Sequence, residues 1–351
     1  MTTERDALTS RSIPHMTLGK GEPGTPSGPL APLSSSSLSP ADRAARRFGL
    51  EDKNAIITGG AGDLGTAVSR ALLEHGLAGL MVFDLWQAPA GGDDGAAAQE
   101  PPSVAGLRAE FPDREIGFLK IDVTDEEAGK EAVGKSETRF REAARQRAGE
   151  QDKEVAEAGV DILLNFAGVV ACGHALDFSA HDWNRVLGIN VVGGAVAANA
   201  VARSIVARNE RVLQKGKVRG GSAGTSTRPE GLGGSILFVA SISSHRVNFP
   251  QPQAPYNASK AAVRSLVQSL AAEWAVHGIR VNSVSPGYMD TVLNAGDGLA
   301  ELRRAWADRC PTGRMGVPDE LAGVVIMLVS GAGNYVTGAD LLVDGGQTLL
   351  M

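Results

Sequence analysis

Cysteine is nearly absent: the 351-residue chain has two, Cys172 and Cys310. Two thiols far apart build no disulfide framework and lack metal-ligand spacing, so no metal is expected. They fit a reducing compartment, and a cytoplasmic location is expected. Aromatic residues are also scarce, at 5%. No long basic run occurs and the net charge is −6, which excludes nucleic acid as a partner. No apolar run reaches the roughly 18 residues of a membrane span, so no transmembrane helix and no membrane partner are expected. The first 48 residues lack the apolar stretch of a signal peptide. Early Asp and Glu residues argue against a mitochondrial presequence.

What is present is a hydrophobic content of 43% and 44 glycines. That suits helices packed tightly on a sheet with close backbone approaches. Residues 1–48 are rich in Ser, Pro, Gly and Thr, with a run from Ser34 to Ser37; they read as a disordered tail. From residue 49 to 351, short apolar runs alternate with amphipathic stretches. Strands are expected at 53–58, 80–84, 115–121, 160–165, 234–241, 279–284 and 339–343. Helices are expected from the glycines after residue 58 to His75, at about 180–208, at 256–277, and near 299–308 and 318–330. Such alternation predicts βαβ units in a single α/β domain. The expected fold is Rossmann-type: a doubly wound parallel sheet of about seven strands with helices on both faces. Three stretches break the rhythm, near 87–102, 126–158 and 209–233. They read as surface insertions, the second as a long exposed helix.

Two features carry chemistry. Tyr256 and Lys260 stand four apart at the start of an apolar helix and share one face. A free tyrosine ionises near pH 10, and a nearby ammonium favours the phenolate. A shift of about three units requires roughly 4 kcal/mol and would make Tyr256 an acid/base near neutrality. The same spacing also occurs between plain neighbours on a solvated helix face. The second feature is the turn Thr58-Gly59-Gly60-Ala61-Gly62-Asp63-Leu64-Gly65 between the first strand and its helix. Glycines there let the backbone approach a pyrophosphate at a helix N-terminus. Asp84 ends the next strand, where a carboxylate binds the adenosine ribose. A 2′-phosphate beside it would meet repulsion of about 4 kcal/mol at ~4 Å and an effective dielectric of ~20. NAD is therefore expected over NADP.

With these residues together, residues 50–351 outside the insertions resemble the short-chain dehydrogenase/reductase family. Further segments support the resemblance. Asp122-Val123 is similar to the family's adenine-contacting pair. Asn165-Phe166-Ala167-Gly168 resembles its Asn-Asn-Ala-Gly segment, with Phe166 in place of the second Asn. Asn190 matches its catalytic asparagine. Ser243, thirteen residues before Tyr256, has the spacing of its catalytic serine. Pro286-Gly287 and Thr291 resemble the segment beside the nicotinamide, and 338–346 resembles the terminal strand.

The resemblance implies a hydride transfer between NAD and a secondary alcohol or ketone. Tyr256 would exchange the hydroxyl proton, Lys260 would lower its pKa and bind the nicotinamide ribose, and Ser243 would orient the substrate. Asn190 would hold a water linking Lys260 to solvent. The family also implies a homodimer or homotetramer, with the 180–208 and 256–277 helices as candidate contacts. One departure is Asp63, where the family carries glycine. Either its carboxylate points away and binds N–H groups at the helix start, or cofactor affinity is reduced.

The stretch from Ser241 to Gln253, with Pro286 to Thr291, resembles the fungal polyol and sugar reductase branch. There His245, Asn248 and Gln251 would offer hydrogen bonds to a hydroxyl-rich substrate. Asp84 would then favour an NAD-linked activity like that of D-arabinitol 2-dehydrogenase. A ketoreductase of secondary metabolism and a cofactor-binding regulatory protein with little turnover are the alternatives.

Overall fold

The computed structural model describes residues 14–30, 37–87, 100–148, 158–218 and 232–350. In chain order the elements are α1 (Pro40–Phe48), β1 (Asn54–Thr58), α2 (Asp63–Glu74), β2 (Gly79–Asp84), α3 (Pro102–Glu110) and β3 (Glu115–Lys120). Then follow α4 (Glu126–Ala148), β4 (Ile162–Asn165), α5 (Ala180–Leu187), α6 (Gly194–Val218) and β5 (Gly234–Val239). The last are α7 (Ala254–Trp274), β6 (Ile279–Pro286), α8 (Ala300–Asp308), α9 (Asp319–Val329) and β7 (Asp340–Val343).

All strand pairs are parallel, in the order β3-β2-β1-β4-β5-β6-β7. The order reverses between β1 and β4, and a crevice opens beyond the strand ends at such a point. Because helices cover both faces, the central strands are apolar almost without alternation. Every residue of β1 is buried. Its neighbours Ile56 and Ile57 point to opposite sides of the sheet. Ile57 packs with Val68 and Leu72 of α2, Leu107 of α3, and Leu321 and Val325 of α9. Ile56 packs with Phe140 of α4, Val201 and Ile205 of α6, and Val263 and Val267 of α7. Each such side chain contributes roughly 1.5–3 kcal/mol on burial, so two separate cores hold the sheet rigid beneath the crevice.

Several expectations are corrected. The 126–158 stretch is no surface insertion over its described part. It is α4, a crossover helix whose Gly129, Ala132, Val133, Ser136, Phe140 and Ala144 are buried. Charge on the outer face masks that stripe of three- and four-residue steps. Residues 40–48, read as part of a disordered tail, form α1, capped by the Ser39 hydroxyl accepting from Asp42 N at 3.1 Å. Farther upstream, the Pro26 carbonyl lies against Gly278, whose φ of 71° and lack of a side chain admit that approach.

The helix expected at 180–208 is two helices, α5 and α6, joined by a wide helical turn at Gly188–Gly193. α6 continues into the stretch read as the third insertion. Arg208 and Asn209 are buried there. Arg208 pairs with Asp161 at 3.1 Å, and Asn209 binds Gly233 N and His277 O at 3.0 and 2.9 Å. The remainder of the three insertions (88–99, 149–157 and 219–231), and residues 1–13 and 31–36 of the tail, lie outside the described residues. By length and composition alone, the helical run Ala180–Gln214 is apolar enough to cross a membrane, with a mean hydropathy of 1.4. Here Val186, Ala198, Val201, Ala202 and Ile205 of that run are buried in the protein.

Candidate active site

A cavity of about 600 Å³ lies at the strand ends where the order reverses. The β1–α2 turn, Asp84, Asp122 and Val123 line one end; Ala167, Gly168, Val239 and Thr291 line the other. The glycine turn is wound too tightly for side chains. Gly59 has φ 65°, and a Cβ there would stand 2.6 Å from Ala167 N. A Cβ at Gly65 would stand 2.7 Å from both Gly59 O and Gly60 Cα. Gly62 precedes α2 and offers no side-chain cap, an arrangement suited to a phosphate at the helix start. Asp84 braces the turn: its carboxylate accepts from Ala61 N and Trp86 N, both at 3.1 Å. Asp122 accepts from Thr124 N and Thr124 Oγ1 at 2.9 and 2.7 Å, which fixes the loop carrying Val123.

Asp63 does not bind the N–H groups at the start of α2. Its Oδ2 reaches across and accepts from Val292 N at 2.6 Å, next to Thr291. The side chain thus ties the turn after β1 to the loop after β6, across 229 positions of sequence.

Four other residues expected to bind cofactor brace its site. Thr58 and Asn165 are buried and do not line the cavity. Thr58 Oγ1 accepts from Ala167 N at 3.3 Å and lies 3.5 Å from Asn165 Oδ1. Asn165 Nδ2 donates to Gly194 O at 3.4 Å. Together they set the height of Ala167 and Gly168. Pro286 closes β6, and Gly287 N donates to Val343 O at 3.0 Å. A Cβ at Gly287 would come within 2.9 Å of Asp344 Cα. Neither lines the cavity, whereas Leu64 and Thr291 do.

The residues expected to handle the proton gather beyond the far end. The wide turn Gly188–Gly193 rotates Asn190 inward, a use of helical bulges common at functional sites. Asn190 Oδ1 accepts from Val169 N at 2.8 Å, while Nδ2 donates to Val169 O and Ser259 Oγ, both at 2.9 Å. Lys260 is buried, and its Nζ donates to Val239 O at 2.8 Å. A Cβ at Gly168 would stand 3.3 Å from Asn190 Oδ1 and 3.5 Å from Lys260 Nζ. Those two groups therefore face the same point beside the cavity.

Lys260 Nζ lies 5.6 Å from the centre of the Tyr256 ring. Burial lowers its pKa to about 8. Burial also pushes the Tyr256 phenol up, opposed by hydrogen bonding from Ser241. The expected lowering by Lys260 is thus not what sets the phenol in this structure.

The serine that bears on Tyr256 is Ser241, not Ser243. Ser241 caps the tight turn Ile242–Ser244 by accepting from Ser243 N at 3.1 Å. Its hydroxyl also donates to Ser243 Oγ at 3.0 Å. Ser243 Oγ accepts a further bond from Gln253 Nε2 at 3.2 Å. Counting thirteen residues back from Tyr256 assumes a fixed loop length, and the loop through Asn248 and Gln253 defeats the count. The signal that would have found Ser241 is its place two residues beyond β5, whose last residue, Val239, lines the cavity.

Comparison with known proteins agrees with this architecture. The model of a family described as enoyl-(acyl carrier protein) reductase matches residues 223–348. The chain is 33% identical over 303 residues to galactitol 2-dehydrogenase (L-tagatose-forming) of Cereibacter sphaeroides, covering 86% of this chain and 97% of that one. It is 32% identical to D-arabinitol 2-dehydrogenase (ribulose-forming) of Candida tropicalis, covering 90% and 99%. A crystal structure of gluconate 5-dehydrogenase from Burkholderia cenocepacia, in complex with NADP and tartrate, superposes with a TM-score of 0.66 at 28% identity, over 88% of this chain and all of that one (100%). The chain belongs to the short-chain dehydrogenase/reductase family.

Proposed function

We propose that this chain interconverts a secondary hydroxyl of a polyol or sugar and the corresponding ketone, with NAD as the preferred hydride carrier. The observation that carries the reading is the gathering of Asn190 and Lys260 directly behind Gly168, Val169 and Val239, which line one end of a dinucleotide-sized cavity, with Tyr256 beside Lys260 and Ser241 acting on its phenol. The cradle fits such a group: backbone packs on backbone at Gly59 and Gly65, where a Cβ would strike Ala167 and Gly60, and Gly62 leaves the start of α2 without a side-chain cap. The turn from Gly59 to Gly65 would hold the pyrophosphate, Asp84 the adenosine ribose, and Asp122 with Val123 the adenine side. When bound, the nicotinamide accepts or returns the hydride.

The protein's own groups handle the proton. With substrate bound, the Ser241 hydroxyl turns from Ser243 Oγ to donate its one proton to the substrate oxygen, and steadies the charge that develops there. Tyr256 takes the hydroxyl proton in oxidation and returns it in reduction. Burial alone keeps the phenol protonated at neutral pH, so cationic charge beside it must favour the phenolate. Lys260 is charged below its pKa of about 8 and stands at hand for this. Asn190 holds Val169 and Ser259 in register, and a free lone pair on Oδ1 can anchor a water near Lys260.

Asp84 supports NAD, since no cation flanks it in Leu85 or Trp86 to receive a 2′-phosphate. Names of the relatives support the polyol class. The test is NAD and NADP reduction by the purified chain over galactitol, D-arabinitol, mannitol and sorbitol, beside simple secondary alcohols. Polyol turnover with NAD supports the reading. Turnover of bulky ketones alone, or cofactor binding without turnover, overturns it.

A further inference from the structure

Three side chains in the loop between β5 and α7 were candidates for contacts with a hydroxyl-rich substrate, and the structure commits two of them elsewhere. His245 Nε2 meets Asp340 Oδ2 at 2.7 Å. Gln251 Oε1 accepts from Trp306 Nε1 at 3.1 Å, and its Nε2 donates to Tyr288 Oη at 2.7 Å. An indole nitrogen only donates, so the Gln251 amide has one orientation and its NH₂ must face Tyr288.

Asn248 differs. It is 6% exposed, and its Nδ2 donates to Tyr288 Oη at 2.9 Å. Its Oδ1 is buried with no hydrogen-bond partner among the described residues. Turning the amide over exchanges the orphan but does not remove it. Oδ1 would then accept from the phenol, and Nδ2 would be left. A buried polar atom without a partner costs the full loss of its hydration, so Oδ1 calls for a polar partner from outside the described residues.

Tyr288 completes the pair. Its ring stacks on Trp306 with centroids 4.2 Å apart and planes at 7°, which fixes the phenol in place. The oxygen accepts from both Asn248 and Gln251. Both lone pairs are then used, and the phenol proton is left as a donor. The wall offers one donor and one acceptor side by side, the complement of an alcohol hydroxyl, which both gives and accepts. A carboxylate could use only the donor. Tyr288 follows β6 and Ser241 follows β5, and these are neighbouring parallel strands, so both residues stand beyond the same end of the sheet; the Tyr288 phenol also raises the pKa of Tyr256.

We propose that Asn248 and Tyr288 together bind a second hydroxyl of the substrate, next to the one oxidised at Tyr256, and so select polyols over monohydric secondary alcohols. The inference rests on the proposed function and assigns its specificity.

The test compares kcat/KM for the polyol turned over best with that for 2-pentanol, in wild type, Asn248→Ala and Tyr288→Phe. The second variant keeps the stack on Trp306 and guards against a folding failure in the first. The polyol-to-alcohol ratio is internal to each preparation, so loss of active protein cancels. Each variant is expected to lower that ratio about tenfold, the worth of one hydrogen bond, mostly through KM for the polyol. An unchanged ratio in both variants overturns the inference. So does wild-type turnover of 2-pentanol at the polyol's rate. Tyr256→Phe run alongside separates the two claims. If it keeps turnover, the proposed function falls. If it is inactive while the ratios stay fixed, only the selection by Asn248 and Tyr288 falls.

Discussion

The two ends of the cavity are built by different means. The nucleotide end is made of backbone: a turn with no room for side chains at Gly59 and Gly65, braced by Asp84 through Ala61 N. The end proposed for proton transfer is made of side chains from three separate places: Asn190 on the wide turn after α5, Ser241 two residues beyond β5, and Tyr256 with Lys260 on α7. A backbone-built site is written in consecutive residues. A side-chain-built site depends on loop lengths and on one local bulge, so its members cannot be assigned by counting.

Tyr256→Phe removes the proton carrier but no part of the glycine turn. Turnover is expected to fall by about 10³-fold or more, while NAD affinity by fluorescence titration stays within about twofold. Gly65→Ala should do the reverse. Its Cβ would meet backbone at 2.7 Å, which cannot step aside. Overpacking of this kind costs roughly 1–3 kcal/mol, and NAD affinity should drop about tenfold or more, with a lower melting temperature.

Lys260→Met tests burial at the proton-transfer end. The Lys260 pKa falls from 10.5 to about 8 in the folded chain. Between these values the unfolded chain binds more protons than the folded one, so stability rises with pH there. Below about pH 8 the penalty is fully present, on the order of 3 kcal/mol. Denaturant unfolding from pH 7 to 10.5 should show wild type gaining stability relative to Lys260→Met. Parallel curves would refute the buried ammonium. The smallest effect is expected of Asp63→Asn. Removing a negative charge beside a helix start that receives phosphate should tighten NAD binding roughly two- to fivefold, more at low salt. A weaker complex would mean that the Asp63–Val292 tie matters more than its charge.

The fold was legible because central strands covered on both faces are continuous apolar runs, and seven of them alternate with helices. α4 was not, since its buried stripe of small residues and Phe140 is diluted by charge on three sides. α1 was not, since a helix without a single buried residue leaves no apolar pattern. The turn, Asp84 and the Asp122-Val123 pair were read from the sequence, and the structure brings them to one end of a single cavity. Thr58, Asn165, Pro286 and Gly287 were read as binding residues, and they stand behind the lining of the cavity, a placement that no local pattern reveals. Tyr256 and Lys260 were legible because a helix fixes their spacing. Ser241 was not, because a loop does not fix the distance from strand to helix. The Asn248–Tyr288–Trp306 arrangement joins a loop, a strand end and α8, and no local pattern announces it.

The most direct test of the account is the pair Ser241→Ala and Ser243→Ala, measured for kcat on one polyol and for NAD affinity. Ser241→Ala should lose about 10²-fold or more in kcat, as for removal of one donor to a developing oxyanion, with NAD affinity unchanged. Ser243→Ala, which loses only a bond to Ser241 and one from Gln253, should lose about tenfold or less. The opposite ranking would contradict the assembly described here and return the role to Ser243.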